Sequence, residues 1–267
     1  MIGKEPWQGY IEPFCLWGNI YFVGTIPAST HIVDTGDGLI MFDCGYQESL
    51  YLMLENMRRI GLDPAKVTDV FVTHGHVDHC GAAEAFRRLF GAKIWISETD
   101  APYVRGTTEQ DMTWAREYKM HFISFEPDGL LHDGDVITRG NTTIRCVATP
   151  GHTPGATSFI FNATDGVRTV IAGLHGGAGM NSLAKKYLEE NGLPLSLQKA
   201  FRDSMERLLT EHVDIYLGNH AAQNGTPKKL ERIKNGEPDA FLDSGSWGRY
   251  ITRCIAAIDD LVAKEQA

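Results

Sequence analysis

The chain has 267 residues, of which 43% are apolar and 22% are charged, so it can bury a large hydrophobic core and does not have the composition of a disordered chain. Its 34 acidic residues outnumber its 25 basic residues, and the net charge of −9 argues against nucleic acid or an anionic membrane surface as a partner. The apolar runs are far shorter than the roughly 20 residues that a membrane-spanning helix needs.

Neither the N-terminus nor the cysteines suggest export. Glu5 and Pro6 interrupt the region where a signal peptide would be apolar. The five cysteines are widely spaced and odd in number, which does not suggest a disulfide framework. No internal repeat or low-complexity segment divides the chain. We therefore expect one cytoplasmic domain over residues 1–267, or an exported one if the sequence begins at a mature terminus.

Short apolar runs bounded by turn residues predict strands, and apolar residues at helical spacing predict helices. In chain order these are strands at residues 20–24, 30–33 and 39–42, a helix at 50–60, a strand at 67–73, a helix at 81–90, a strand at 92–96, a helix at 110–120, hairpins over 131–161, a strand at 169–172, a helix at 197–209, a strand at 213–217 and a helix at 247–263. The hairpins over 131–161 are expected to turn at residues 133–134 and 139–141. This order predicts packed sheets with helices outside them.

The densest cluster of polar donors lies between the strand at 67–73 and the next helix. His74, His76, Asp78 and His79 fall within six positions of each other there. Residues one position apart in an extended turn point the same way, so the first pair can bind one metal ion and the second pair another. Nitrogen and carboxylate ligands suit zinc, although other first-row metals also accept them. A single histidine is more often structural, but four donors at this spacing predict a metal site.

Two later segments also end an apolar strand with a glycine-containing turn and a histidine. They are Thr149 to Gly155, which contains His152, and Gly218-Asn219-His220. Each histidine alone has a structural interpretation. Because functional side chains collect at strand ends, the repeated pattern favours metal ligation.

Taken in order, these motifs resemble the metallo-β-lactamase superfamily over nearly the whole chain, beginning with the sequence LIMFDCG at residues 39–45. The resemblance implies an α/β fold of the αββα sandwich type, with the metals at one edge. It also implies two groups of zinc ligands. The first group is His74, His76 and His152, and the second is Asp78, His79 and His220.

The chain departs from many members of that superfamily at one position. Those members carry an aspartate that bridges the two metals, whereas this sequence has Leu174 and no carboxylate over residues 170–177. The remaining donors look like those of the subclass B3 β-lactamases, which use three histidines at the first zinc and no cysteine. We therefore predict a hydrolase with two Zn²⁺ ions that cleaves a cyclic amide such as a β-lactam, with Asp78 orienting the attacking water.

Several neighbouring residues keep two interpretations. Asp43 matches the family's buried acidic residue beside the site, or it caps its own turn. His175 lies beside the missing bridging position and contacts substrate or metal, or it is a buried packing partner. Cys80 is expected to be a small packing residue. Segments 103–128 and 176–196 either wall the site, with a lysine that pairs with a substrate carboxylate, or form ordinary surface.

Two other functions stay open. One is a cytoplasmic hydrolase of another lactone, ester or amide, because β-lactamases are exported and no signal peptide is evident. The other is an iron-binding redox protein that uses the same ligands, although such relatives usually carry the bridging carboxylate and a flavodoxin-like domain. The expected partner is in each case a small molecule.

Overall fold

The computed structural model describes residues 5–266 and contains two β-sheets. In the first sheet seven strands are neighbours in chain order: β1 (Phe14–Trp17), β2 (Ile20–Phe22), β3 (His31–Asp34), β4 (Leu39–Phe42), β5 (Val67–Phe71), β6 (Lys93–Ser97) and β7 (Gly129–Leu131). β1 to β4 pair antiparallel, and β4 to β7 pair parallel. Residues 1–4 and 267 lie outside the described residues. The predicted domain includes all of them, and residues 1–4 also belong to the N-terminal region that was considered as a signal peptide.

The second sheet has five strands in the order β12-β11-β10-β9-β8. These strands are β8 (Val136–Arg139), β9 (Thr142–Ala148), β10 (Thr157–Thr164), β11 (Thr169–Leu174) and β12 (Ile215–Leu217). The helices are α1 (Leu50–Arg59), α2 (Val77–Cys80), α3 (Ala83–Phe90), α4 (Ala101–Arg105), α5 (Lys185–Glu190), α6 (Ser196–Leu208), α7 (Thr226–Lys234) and α8 (Ser244–Gln266). Between residues 5 and 266, no helix combines the length and the apolarity that crossing a bilayer requires.

The two sheets pack face to face, with helices on both outer faces. Aromatic rings fill the space between the sheets, where Phe42 of the first sheet lies 5.2 Å from Phe159 and 4.7 Å from Phe161 of the second, measured between ring centroids. Helices α1, α3 and α4 cover the first sheet, and α6 and α8 cover the second. The predicted αββα arrangement is confirmed.

Strand β4 shows why this arrangement follows from an unbroken apolar run. Its side chains alternate between the two faces of the sheet. Ile40 and Phe42 enter the core between the sheets, and Leu39 and Met41 enter the core beneath the helices. A strand that is covered on both faces needs apolar residues at every position.

The helix predicted at residues 110–120 is wrong. This segment forms turns, because the side chain of Asp111 accepts hydrogen bonds from the backbone N–H groups of Arg116 and Glu117. Such side-chain acceptors compete with helical hydrogen bonds. Trp114 also adopts a left-handed backbone conformation, with φ of 62°, which a helix cannot contain.

The predicted hairpins over residues 131–161 are correct in part. The turn at Gly140 joins the antiparallel strands β8 and β9. The turn at Gly134 instead carries the chain from β7 in the first sheet to β8 in the second. Both turns contain a glycine with positive φ, so local sequence does not distinguish a hairpin from a crossover between sheets.

An ion pair connects the two sheets beside the aromatic core. Asp69 of β5 accepts hydrogen bonds from Arg139 of β8, at 2.8 and 2.9 Å, and from the indole N–H of Trp95, at 2.7 Å. The carboxylate is 3% exposed and the arginine side chain 31% exposed. Burial alone raises the pKa of Asp69, but these hydrogen bonds outweigh burial and hold the pKa below its usual value.

We predict that Asp69→Ala lowers the free energy of unfolding by about 2–3 kcal/mol, because it leaves a half-buried guanidinium without its carboxylate and an indole N–H without an acceptor. Urea unfolding measures the change. The control is Asp260→Ala, which removes an exposed partner of Lys264 on α8 and is expected to cost less than about 0.5 kcal/mol. Equal losses in the two variants would contradict the assigned role of the ion pair.

Candidate metal centre

The six predicted metal donors meet at one edge of the sandwich. They come from three loops, each following the last residue of a strand. His74, His76, Asp78 and His79 follow β5, with the last two in α2; His152 follows β9; and His220 follows β12. The structure sorts these donors into the two groups that the resemblance implies.

The first group consists of His74, His76 and His152. Each pair of these rings has a centroid separation of 4.7 Å, and the potential ligand atoms lie within 4.8 Å of one another. The Nε2 atoms of His74 and His76 are buried and have no hydrogen-bond partner among residues 5–266. Burial also lowers the pKa of both imidazoles, so they are neutral. Neutral, buried and unpaired nitrogens fit a zinc ion.

The second group consists of Asp78, His79 and His220. One carboxylate oxygen of Asp78 lies 3.2 Å from Nε2 of His79 and 3.8 Å from Nε2 of His220. Burial alone lowers the pKa of His79, but the carboxylates of Asp78 and Asp43 outweigh burial and raise it to about 10. This group fits zinc once the imidazolium has lost its Nε2 proton.

Hydrogen bonds to Nδ1 orient the ligand rings. The Thr73 hydroxyl lies 2.9 Å from Nδ1 of His74, and the Gly179 carbonyl accepts from Nδ1 of His152 at 3.0 Å. Nδ1 of His220 contacts the Pro27 carbonyl. With Nδ1 engaged, Nε2 is the nitrogen left for a metal ion.

Asp43 lies beneath the imidazoles and does not cap its own turn. It is 1% exposed, and its carboxylate accepts from the Thr73 N–H at 2.8 Å, from the Thr73 hydroxyl at 2.9 Å and from Nδ1 of His79 at 2.8 Å. Its backbone φ of 52° is in the left-handed region that aspartate tolerates better than most residues. The carboxylate therefore connects rings of both donor groups.

Asp100 is a site residue that sequence reasoning missed. Its fully buried carboxylate accepts from the N–H groups of Gly75 and Gly155 and from the hydroxyl of Thr153. It therefore ties the loop of His74 and His76 to the loop of His152. Burial raises its pKa to about 6, although the three hydrogen bonds act in the opposite direction. Its position before a proline resembles a helix cap, so the sequence gives no signal of this contact.

Trp114 covers the first donor group. Its indole stacks on the His76 ring, with centroids 4.1 Å apart and planes 15° from parallel. The indole N–H donates to the Tyr187 hydroxyl at 2.8 Å, which joins the two segments predicted to wall the site. The left-handed backbone of Trp114 thus places its ring over the His76 imidazole.

A cavity of about 560 Å³ opens beside the donors. Trp114 and Tyr118 line it from the first predicted wall segment, and Met180 lines it from the second. The lysines expected to pair with substrate do not line it, since Lys185 and Lys186 lie near glutamates one helical turn away. Among the described lining residues, the cationic side chain is that of Arg253 on α8.

His175 lies outside both donor groups. It is fully buried, and its Nδ1 accepts from the Gly177 N–H at 2.9 Å. Burial, together with the charge of His152, lowers its pKa to about 3. A Cβ atom at Gly177 would lie 2.4 Å from the His152 ring, so the glycine-rich loop allows the chain to pass close to that ligand. Cys80 is a buried packing residue, as expected.

Comparison with known proteins identifies the family. A family model described as the metallo-beta-lactamase superfamily matches residues 23–169, more than half of the chain. The chain belongs to this superfamily. Its fold is similar to that of BJP-1, a subclass B3 metallo-beta-lactamase of Bradyrhizobium japonicum, with a TM-score of 0.87 and 26% sequence identity over 99% of this chain and 98% of that chain.

Two Bacillus subtilis proteins are similar over shorter segments. YobT is 26% identical over 179 residues, 64% of this chain and 72% of its own length. YflN, described as a probable metallo-hydrolase, is 26% identical over 170 residues, so the chain spans 59% of its length. The predicted family, fold and enzyme class, a metal-dependent hydrolase, are confirmed at the level of the superfamily.

We predict that zinc binding releases about one proton at the Asp78 group and none at the His74 group. His79 must lose its Nε2 proton to bind a metal ion, so zinc affinity of its group should rise about tenfold per pH unit until the imidazolium titrates near pH 10. Calorimetry at pH 6, in buffers of different ionisation enthalpy, measures the number of protons released. This pH lies below the pKa of about 7 of zinc-bound water, so loss of a water proton adds little to the count. Equal proton release at both groups would contradict the charge assignment.

We also predict that Asp100→Ala lowers zinc affinity about 10–100-fold, because the loops that carry three histidines lose their common acceptor. Competition with a chromophoric chelator measures the affinity. The zinc affinity of Asp100→Asn, which keeps an acceptor oxygen, should lie between that of Asp100→Ala and that of the parent protein. Unchanged zinc affinity in Asp100→Ala would show that the loops are held by other contacts.

Proposed function

We propose that this protein is a zinc-dependent hydrolase that opens a cyclic amide such as a β-lactam. The observation that carries the proposal is the pairing of a three-histidine group with an Asp-His-His group, beside a pocket and without a bridging carboxylate. At the end of β11, the position expected for a bridging aspartate holds the apolar residue Leu174. The whole-chain likeness to a subclass B3 enzyme supports the same choice.

Two zinc ions are proposed as the cofactors. His74, His76 and His152 would hold one, and Asp78, His79 and His220 the other. Zinc at such sites lowers the pKa of water and polarises a carbonyl group.

The residues around these ligands would prepare the site for hydrolysis. Asp78 lines the pocket with its carboxylate 18% exposed, so it can accept a hydrogen bond from water and orient the attacking oxygen. Asp43 and Thr73 hold the imidazoles through hydrogen bonds and do not line the pocket. Preorganised groups of this kind need little rearrangement when charge develops on a reacting carbonyl.

The pocket walls favour a small molecule with an apolar body. Trp114, Tyr118 and Met180 present aromatic and thioether surface beside the donors. A ring held against these side chains would be shielded from bulk water at the scissile bond. The volume of about 560 Å³ suits a small-molecule substrate.

A cytoplasmic location of the protein is a prediction from its sequence alone.

The test is hydrolysis of a chromogenic cephalosporin and a carbapenem by zinc-loaded protein. We expect kcat/KM of about 10⁴ M⁻¹s⁻¹ or more. Chelation or His76→Ala should lower it at least about 100-fold, because the first group then loses its metal or a ligand. His212→Ala is the matched control, since that histidine is 72% exposed and pairs with Asp214.

Activity that is independent of metal and of His76 would overturn the hydrolase proposal. Metal-dependent cleavage of lactones or esters, with no β-lactam turnover, would instead support the broader hydrolase and reject the cyclic amide. A stoichiometric pair of iron ions with an absorbing chromophore in protein grown without added zinc would favour the redox alternative.

A further inference from the structure

A second cavity continues from the metal-site pocket along the outer face of the molecule. It has a volume of about 810 Å³ and lies between the start of α7 and the first half of α8. Gln223 and Arg253 line both cavities, so the two spaces adjoin at these residues. We call this second cavity the α7–α8 groove. A ligand that reached from the metal site into the groove would pass these two residues.

The α7–α8 groove is cationic although the whole chain carries a net charge of −9. Lys229, Arg249 and Arg253 line it, and Asp243 is the lining carboxylate, which leaves an excess of two positive charges (three minus one). Asp243 is already paired with Arg249 and also accepts from the backbone N–H of Gly245. Among the three cations, it therefore pairs directly with Arg249.

The other two cations have no carboxylate partner among residues 5–266. Arg253 donates one hydrogen bond to the Gln223 carbonyl, at 3.3 Å, and lies over the Tyr250 ring, 5.7 Å from its centroid. Its remaining N–H groups are free for a planar anion, which a guanidinium binds through two parallel hydrogen bonds.

Lys229 marks the far end of the groove. Its ammonium nitrogen is buried, lies 4.8 Å from the Phe241 ring centroid and donates to no described acceptor. The ring face attracts the charge but does not replace three hydrogen-bond acceptors. Burial lowers the pKa of this lysine, although the charge of Asp243 acts in the opposite direction.

We propose that the α7–α8 groove binds an anionic end of the substrate, a carboxylate or a phosphate, while the bond to be cleaved lies at the metal centre. This inference rests on the proposed hydrolase function and specifies its substrate class. The substrate has an apolar part that fits between Trp114 and Met180, and a flexible arm that carries negative charge past Arg253. Such an arm gives the unpaired guanidinium a partner and places the scissile bond by a contact remote from the metals.

The test compares two cephalosporins that differ only at the end of their side chain, one acylated with an adipoyl group and one with a hexanoyl group. Both keep the same ring and the same ring carboxylate, so the difference reports the added terminal carboxylate. We expect kcat/KM to favour the adipoyl compound, and Arg253→Gln to lower this preference about tenfold. Arg253→Lys should retain more of this preference than Arg253→Gln does, and Lys229→Gln should also lower the preference.

The control is Lys264→Gln, which removes one positive charge from the exposed, distal end of α8 and should leave the preference unchanged. The same change in Lys264→Gln and Arg253→Gln would mean that overall charge and not the groove sets the preference, and would overturn the proposal. Equal turnover of the two compounds by the parent protein would also overturn it.

A binding measurement separates this proposal from the hydrolase proposal. If neither cephalosporin is cleaved, the β-lactamase-like function fails. Calorimetry of adipate and of inorganic phosphate with zinc-loaded protein then decides whether the groove binds an anion. Binding that Arg253→Gln abolishes and Lys264→Gln preserves supports the groove, and the tighter probe identifies the anion. Binding of neither probe, or binding unaffected by Arg253→Gln, rejects it.

Discussion

The candidate site depends on one constraint, the pairing of buried polar groups beneath the six donors. Asp43 connects His79 and, through Thr73, His74, in a region closed to water. Because a buried donor or acceptor without a partner is costly, these hydrogen bonds hold each ring in one orientation. Among residues 5–266, the unpaired buried atoms include Nε2 of His74 and of His76. These hydrogen bonds therefore fix the arrangement of the donor cluster in the folded protein.

The two donor groups carry different charge, and this difference gives them different chemistry. The first group consists of neutral imidazoles whose pKa burial keeps low. In the second, two carboxylates enclose His79 and keep its imidazole protonated. If a zinc ion binds each group, as proposed, binding at the second is coupled to proton loss and binding at the first is not. Beyond the donors, aromatic side chains line the first pocket, and cationic side chains line the adjoining α7–α8 groove. The lining therefore changes from apolar to charged from one cavity to the next.

Much of the fold and the site was predictable because the relevant signals are local. The four donors of the first motif are adjacent in sequence, and His152 and His220 each follow an apolar strand. Asp100 and Arg253 have no such signal, because their contacts lie with segments distant in the chain. Apolar spacing predicts a helix around Trp114, since it does not reveal that Asp111 accepts hydrogen bonds from backbone N–H groups. Contacts between loops depend on how the two sheets place them.

Zinc-edge anomalous diffraction from crystals of zinc-loaded protein tests the central claim most directly. The account predicts two peaks. One should lie about 2.0–2.1 Å from a ring nitrogen of each of His74, His76 and His152, and the other at similar distances from His79, His220 and an oxygen of Asp78. The imidazoles should lie close to the positions described above. A single peak, ligands from outside the two groups, or large rotation of the rings on zinc binding would contradict a preformed two-metal centre.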